Sequence, residues 1–192
     1  MLRKIPVPQS DDRHLADLIL QIGRAAYADC AAGGLTQAQW MALRFFERAN
    51  RFSRNISGFA EFHATTRGTA SQTVKSLVEQ GYVVRTRSNQ DARRVRLDLT
   101  ARGRDLLTND PLEHLVRAAG ELTSACQAST VSTLRTLVNT LARNRSRSMA
   151  GVCARCEHLD GGNQEGFRCR LLQESLDDTE LDELCVRFQP AA

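Results

Sequence analysis

The chain has no run of 18 or more apolar residues, so it offers no helix able to span a bilayer. Its first residues, MLRKIPVPQSDDRH, carry no apolar stretch of the kind that directs secretion. No membrane partner and a cytoplasmic location are therefore expected. Internal repeats and low-complexity runs are also missing. There is no Ser-His-Asp set, phosphate-binding glycine loop or paired-carboxylate constellation, so the chain is not expected to be an enzyme. What remains is ordinary globular material: 192 residues, 42% hydrophobic and 25% charged, enough for one domain with a real core and a small appendage. The unusual feature is the placement of cysteine. Four of the six, Cys153, Cys156, Cys169 and Cys185, fall in the last forty residues. In a reducing compartment such a cluster points to metal ligands or redox groups rather than disulfides.

Charge is unevenly spread. Residues 153–192 hold four Arg against nine Asp or Glu, a balance of −5, which leaves +9 on the rest of a chain whose total is +4. A basic body suggests a polyanionic partner, most simply double-stranded DNA. The acidic tail is not expected to lie on phosphates.

Local patterns place a helix over 11–31, with Leu15, Leu18, Ile19 and Ile22 as its apolar stripe. A second helix begins after Thr36, which with Gln39 forms a capping box, and buries Trp40, Leu43 and Phe46. A short helix over 56–63 precedes a longer one over 67–80, whose inner face is Ala70, Val74, Leu77 and Val78. After Gly81 the period changes to two, and Val83–Val84 and Val95, Leu97 and Leu99 read as a β-hairpin with the polar tip SNQDARR. Thr100 caps the next helix, and further helices are expected over 112–127 and 131–145. The polar run NRSRS, 144–148, links this body to the cysteine segment.

Helix, turn, helix and hairpin in that order make a winged helix–turn–helix. The helix over 67–80 would enter the major groove and offer Arg67, Thr69, Ser71, Gln72 and Lys75. Gln pairs bidentately with adenine and Arg with guanine, while hydroxyls and Lys suit phosphates. The hairpin would offer Arg87, Asn89, Arg93 and Arg94 to a narrow minor groove.

Residues 36–107 resemble the MarR-type winged-helix regulators, and the helices from about 11 to 145 fit the same plan. In DARRVRLDLTARG, residues Asp91, Arg93, Leu99, Thr100 and Gly103 fall where that family's wing has Asp, Arg and a Leu-Thr-x-x-Gly exit. Leu77, Gly81, Val83 and Arg85 match its recognition-helix exit, while Ala92 stands where the first wing Arg is usual. The resemblance implies a homodimer with intertwined terminal helices and two recognition helices reading a pseudo-palindromic operator. It does not extend to residues 149–192.

The tail spacing is Cys153-x2-Cys156-x12-Cys169-x15-Cys185. A CxxC pair brings two sulfurs to one centre, and two further cysteines complete a set of four. Structural zinc usually takes two close pairs, whereas here the last two ligands are single. The pattern resembles the cluster segments of high-potential iron–sulfur proteins, which implies a [4Fe-4S] cluster, with zinc as the alternative. Gly166, Phe167 and Phe188 would shield the cluster. His158 is a possible substitute ligand, expected to lie outside the ligand set, and Cys30 and Cys126 read as small buried residues on helices.

The expected fold is mainly α with a small β-wing: a winged-helix and dimerisation domain over 1–148 and a Cys-rich metal-binding tail over 149–192. The expected function is a transcription regulator tuned by the cluster, with coupling through dimer geometry because the tail follows the last helix. The alternatives are a DNA-binding regulator with a purely structural zinc tail, and an iron–sulfur electron-transfer or enzyme accessory protein.

Overall fold

The aromatic pattern of WMALRFFER places the core. In the computed structural model, which describes residues 11–28, 34–87, 95–144, 149–162 and 166–191, this segment is helix α2 (Gln37–Arg48). The Thr36–Gln39 capping box is formed, and Trp40, Leu43, Phe45 and Phe46 are buried. Against them pack α3 (Ile56–Phe62) and α4 (Arg67–Glu79), the latter through Ala70, Val74 and Leu77. The wing is β1 (Val83–Arg87) paired antiparallel with β2 (Val95–Leu99), with Val83 opposite Leu99. Val83, Leu97 and Leu99 turn into the core as the period of two requires. Helix α5 (Ala101–Leu107) starts under Thr100, and a Cβ on Gly103 would come within 2.2 Å of the Tyr82 carbonyl oxygen. The Leu-Thr-x-x-Gly exit is thus a cap plus a position with no room for a side chain.

Three helices differ from the expected layout. Helix α1 is Asp11–Ala25 and leaves its stripe uncovered, with Leu15, Leu18, Ile19 and Ile22 all exposed. The later helices are α6 (Glu113–Gly120) and α7 (Ser124–Asn144), so the break falls at 121–123 rather than 128–130. The Thr123 hydroxyl accepts from the Cys126 amide, and this local cap sets the start of α7. Cys126, expected to be buried, is exposed because nothing in the described protomer covers that face of α7. Cys30 lies outside the described residues.

The segment after α7 is folded β-structure. Strand β3 (Met149–Val152) pairs antiparallel with β7 (Leu184–Phe188). Strands β4 (Leu159–Gly161), β5 (Phe167–Cys169) and β6 (Glu174–Leu176) form a three-stranded meander. Short 3-10 turns occupy Cys153–Arg155 and Asp178–Asp182. Leu184 and Val186 are buried in the same core as Trp40 and Phe59, while Cys153, Leu176 and Cys185 form a second, smaller cluster. The tail therefore adds a strand edge to the winged helix and a small core of its own. Among the described residues no helix is long and apolar enough to cross a membrane.

Candidate DNA-reading face and cysteine site

Burial of Ala70, Val74 and Leu77 fixes the rotation of α4 and so decides which residues face out. Arg67, Thr69, Gln72 and Lys75 are exposed on that outer face, and Ser71 is half-buried at its margin. Thr66 caps the helix by accepting from the Thr69 amide at 3.1 Å, so the first turn is held in register. Lys75 lies 3.8 Å from Glu79, an exposed i,i+4 pair that leaves its ammonium in solvent. Arg87 ends β1 on the exposed side. Asn89, Arg93 and Arg94 lie outside the described residues, so the wing contribution described is that of Arg87 and its neighbour Arg85.

The four tail cysteines come from three elements and line one cavity. Cys153 and Cys156 bracket a 3-10 turn closed by the Cys156 amide on the Cys153 carbonyl at 3.0 Å. Cys169 ends β5, and Cys185 sits in β7 opposite Gly151. Phe52, Leu159, Leu171, Leu172 and Leu176 supply the cavity's apolar wall. Cys153 and Cys185 are buried, Cys156 and Cys169 half-buried. Among the described residues no three His, Cys, Asp or Glu side chains are already drawn together as a ready-made ion site. A hydrogen bond between the two sulfurs holds the Cys185 thiol below the ordinary thiol range against burial and pushes Cys153 up.

The shielding residues differ from expectation. Phe167 packs beside the cysteine cluster, but Phe188 lies over Gly151, where a Cβ would meet its ring at 2.6 Å. Phe52 and the leucines take the shielding position instead. His158 lines the cavity with its Nε2 3.7 Å from Glu157.

Sequence reasoning passed over the turn RANRFSRN, between α2 and α3, which holds the tail. The Asn50 amide donates to the Leu184 carbonyl at 2.9 Å, and Ala49 bridges Leu184 as a short parallel pair. The Asn50 side chain donates to Cys153 Sγ at 3.7 Å. Ser53 Oγ accepts from the Val186 amide at 3.1 Å. Arg51 pairs with Glu180 at 2.6 Å and Arg54 with Glu183 at 3.0 Å. The acidic tail is thus spent partly on these arginines. Its opposite charge to 48–55 was the one signal in the sequence that could have found the contact.

Comparison with known proteins agrees with this geometry. Residues 33–94 match the sequence model described as MarR family. The HTH-type transcriptional regulator SarZ of Staphylococcus epidermidis is 34% identical over 73 residues, which are 38% of this chain and 48% of that protein. The chain thus spans about half the length of the curated relatives it matches. A MarR/EmrR family transcriptional regulator from Acinetobacter sp. ADP1 superposes with a TM-score of 0.56 at 19% identity, over 70% of this chain and 99% of that one. CouR from Rhodococcus jostii RHA1, solved bound to p-coumaroyl-CoA, gives a TM-score of 0.55 at 24% identity, over 69% and 92%. These likenesses establish the fold. Residues 33–94 are thus similar to the MarR family, in a chain that shares the fold of the solved MarR regulators over about 70% of its length.

Proposed function

We propose that this protein is a homodimeric, DNA-binding transcription regulator whose activity is tuned by a [4Fe-4S] cluster on Cys153, Cys156, Cys169 and Cys185. The observation that carries the DNA reading is the outer face of α4, where Arg67, Thr69, Gln72 and Lys75 stand exposed beside the wing. The helix is narrow enough for a major groove, and its polar groups match both base edges and phosphates. The designation of the SarZ relatives as transcriptional regulators supports the same reading. Dimerisation accounts for the uncovered apolar stripes: Leu15, Leu18 and Ile22 on α1, and Val131, Leu134, Val138 and Leu141 on α7, all exposed in one protomer. Spacings of three and four residues put the α7 set on one face, as an interhelical seam requires. A second copy buries them.

Four cysteines lining one apolar-walled cavity support a metal centre, and the single, widely spaced Cys169 and Cys185, unlike the two close pairs usual for structural zinc, favour a cluster. The CxxC turn suits zinc equally well, so zinc is the second reading. Selection of duplexes from a random library by anaerobically purified protein tests the DNA reading: a recovered site with half-sites one helical turn apart and a steep salt dependence supports it. Failure to enrich any sequence refutes it. Absorption near ~400 nm from the same sample separates iron–sulfur from zinc.

A further inference from the structure

Residues 49–55 touch the cysteine site, α3 and the wing at once, through residues that neither the DNA face nor the ligand set uses. On the tail side, Asn50 Nδ2 donates to Cys153 Sγ at 3.7 Å, and both groups are buried. On the other side, Asn50 Oδ1 accepts from the Ser53 amide at 3.0 Å. Ser53 Oγ accepts from the Val186 amide next to Cys185, at 3.1 Å. Asn50 and Ser53 are each 1% exposed, so neither amide nor hydroxyl has water to fall back on. The Ser53 carbonyl oxygen stands where a Cβ on Gly58 would meet it at 2.3 Å, so α3 rests directly on this turn. Asn55 then caps α3 by accepting from the Gly58 amide at 2.9 Å. Arg54 carries the same turn to the wing: its carbonyl accepts from the Leu97 amide at 2.7 Å, and its guanidinium pairs with Asp98 at 3.2 Å as well as with Glu183.

We propose that Asn50 is a positioning residue that couples the cysteine centre to the DNA-reading helices within a single protomer, by holding the α2–α3 turn through a hydrogen bond to the metal-bound sulfur of Cys153. The proposal rests on the metal reading above and specifies its regulation. A metal held by sulfurs from three elements would tie the Cys153 turn and β7 to the Cys169 strand, and so fix both against Asn50 and Ser53. Without that cross-link, the Cys153 turn and β7 are freer to shift relative to the rest of the tail. Such a shift passes through the Asn50–Cys153, Asn50–Ser53 and Ser53–Val186 bonds to the turn on which α3 rests. Helix α3 packs in the same core as α4, whose outer face carries the reading residues, so a shift of α3 reaches α4. This coupling runs through the turn within one protomer, a route separate from the dimer geometry expected from chain order.

The test uses the full-length protein reconstituted anaerobically with ferrous iron and sulfide, or with zinc, against its chelated form and a duplex recovered by selection. In the wild type the metal-loaded form is expected to bind that duplex about 5- to 150-fold more tightly, the range of ordinary allosteric coupling. Asn50→Ala, loaded to the same metal content, is expected to shrink the ratio of loaded to chelated affinity toward one. Retention of the full ratio in loaded Asn50→Ala overturns the proposal. Amide hydrogen exchange over 56–62 in the wild type, with and without metal, gives a readout that does not depend on DNA or on the variant folding. Faster exchange in α3 on chelation is expected, and a change confined to 153–188 overturns the coupling. Failure of the protein to take up either metal refutes the metal reading and the coupling together. Absence of DNA binding refutes only the regulator reading, since the exchange experiment still decides the coupling.

Discussion

Replacing Leu184 by Ala tests whether the tail is an attachment or a structural member of the winged helix. Leu184 is 8% exposed and packs in the cluster that contains Trp40, Phe59 and Val83, far from it in sequence. The substitution keeps the backbone contacts of Leu184, the Ala49 bridge and the bond from the Asn50 amide, so it isolates side-chain packing. A buried Leu→Ala change costs about 2–5 kcal/mol from lost transfer energy and the cavity left behind. At a urea slope of about 2–3 kcal/mol per molar, a loss near ~3 kcal/mol lowers the midpoint by about 1–1.5 M. The chain has one Trp, and Trp40 is 1% exposed in the winged-helix core, so its fluorescence reports that core alone. Urea titrations of the wild type and Leu184→Ala are compared at one protein concentration, because association also shifts the midpoint. A Trp40 transition unmoved by Leu184→Ala refutes a shared core and makes residues 149–192 an independent appendage.

Ser at Cys153, Cys156, Cys169 or Cys185 should abolish or strongly reduce bound metal, while Cys30→Ser and Cys126→Ser leave it intact, as metal analysis of the six purified variants reads out. Gln72→Ala should relax sequence preference and Arg87→Ala or Arg93→Ala weaken binding, each by about 1–3 kcal/mol for a lost base contact and less for a phosphate contact; unchanged isotherms across a salt series would remove these residues from the interface. Gly103→Val should lower thermal stability sharply, because its side chain has to displace the Tyr82 carbonyl, only 2.2 Å from a Cβ. His63 gives a pH effect. Its Nε2 is buried with no hydrogen-bond partner among the described residues, between Phe59 and Phe62 at 4.8 Å each, and burial lowers its pKa below 6.5. The unfolded chain then binds the proton more readily, so stability falls as pH drops through 6.5 toward the folded value. His63→Phe should flatten that acid-side loss between about pH 7 and pH 5 in chemical unfolding, and an unchanged slope assigns the acid sensitivity elsewhere.

The parts of the fold that were legible in the sequence are those written in short range. Thr36 and Gln39 sit three residues apart and cap α2, Ala70, Val74 and Leu77 repeat at helical spacing, and Val95, Leu97 and Leu99 alternate. Each of these patterns is enforced by the geometry of a single element, so the residue types alone reveal it. The exposure of Arg67, Thr69, Gln72 and Lys75 followed from the same periodicity. The cysteine spacing announced a site but not its walls, because Phe52 and Asn50 come from a turn about a hundred residues earlier. Nothing local in FSRN marks Ser53 as the acceptor for the Val186 amide. The uncovered stripe of α1 illustrates the opposite gap: Leu15, Leu18 and Ile22 have core-like spacing, yet nothing among the described residues covers them.

The union of residues 49–55 with residues 175–186 also governs when this protein can finish folding. During synthesis, α2, α3, α4 and the wing emerge long before Leu184 and Val186, which complete their core. Closing so long a loop costs entropy that grows only logarithmically with length, so the delay is one of waiting rather than of energy. Until then a nascent winged helix presents an unfilled apolar edge beside Ala49 and Phe59, where a chaperone or another nascent chain can bind. Cys185, the fourth cysteine of the cavity in chain order, lies between the two residues that fill this edge. Completion of the core therefore coincides with the arrival of the fourth cysteine at the cavity.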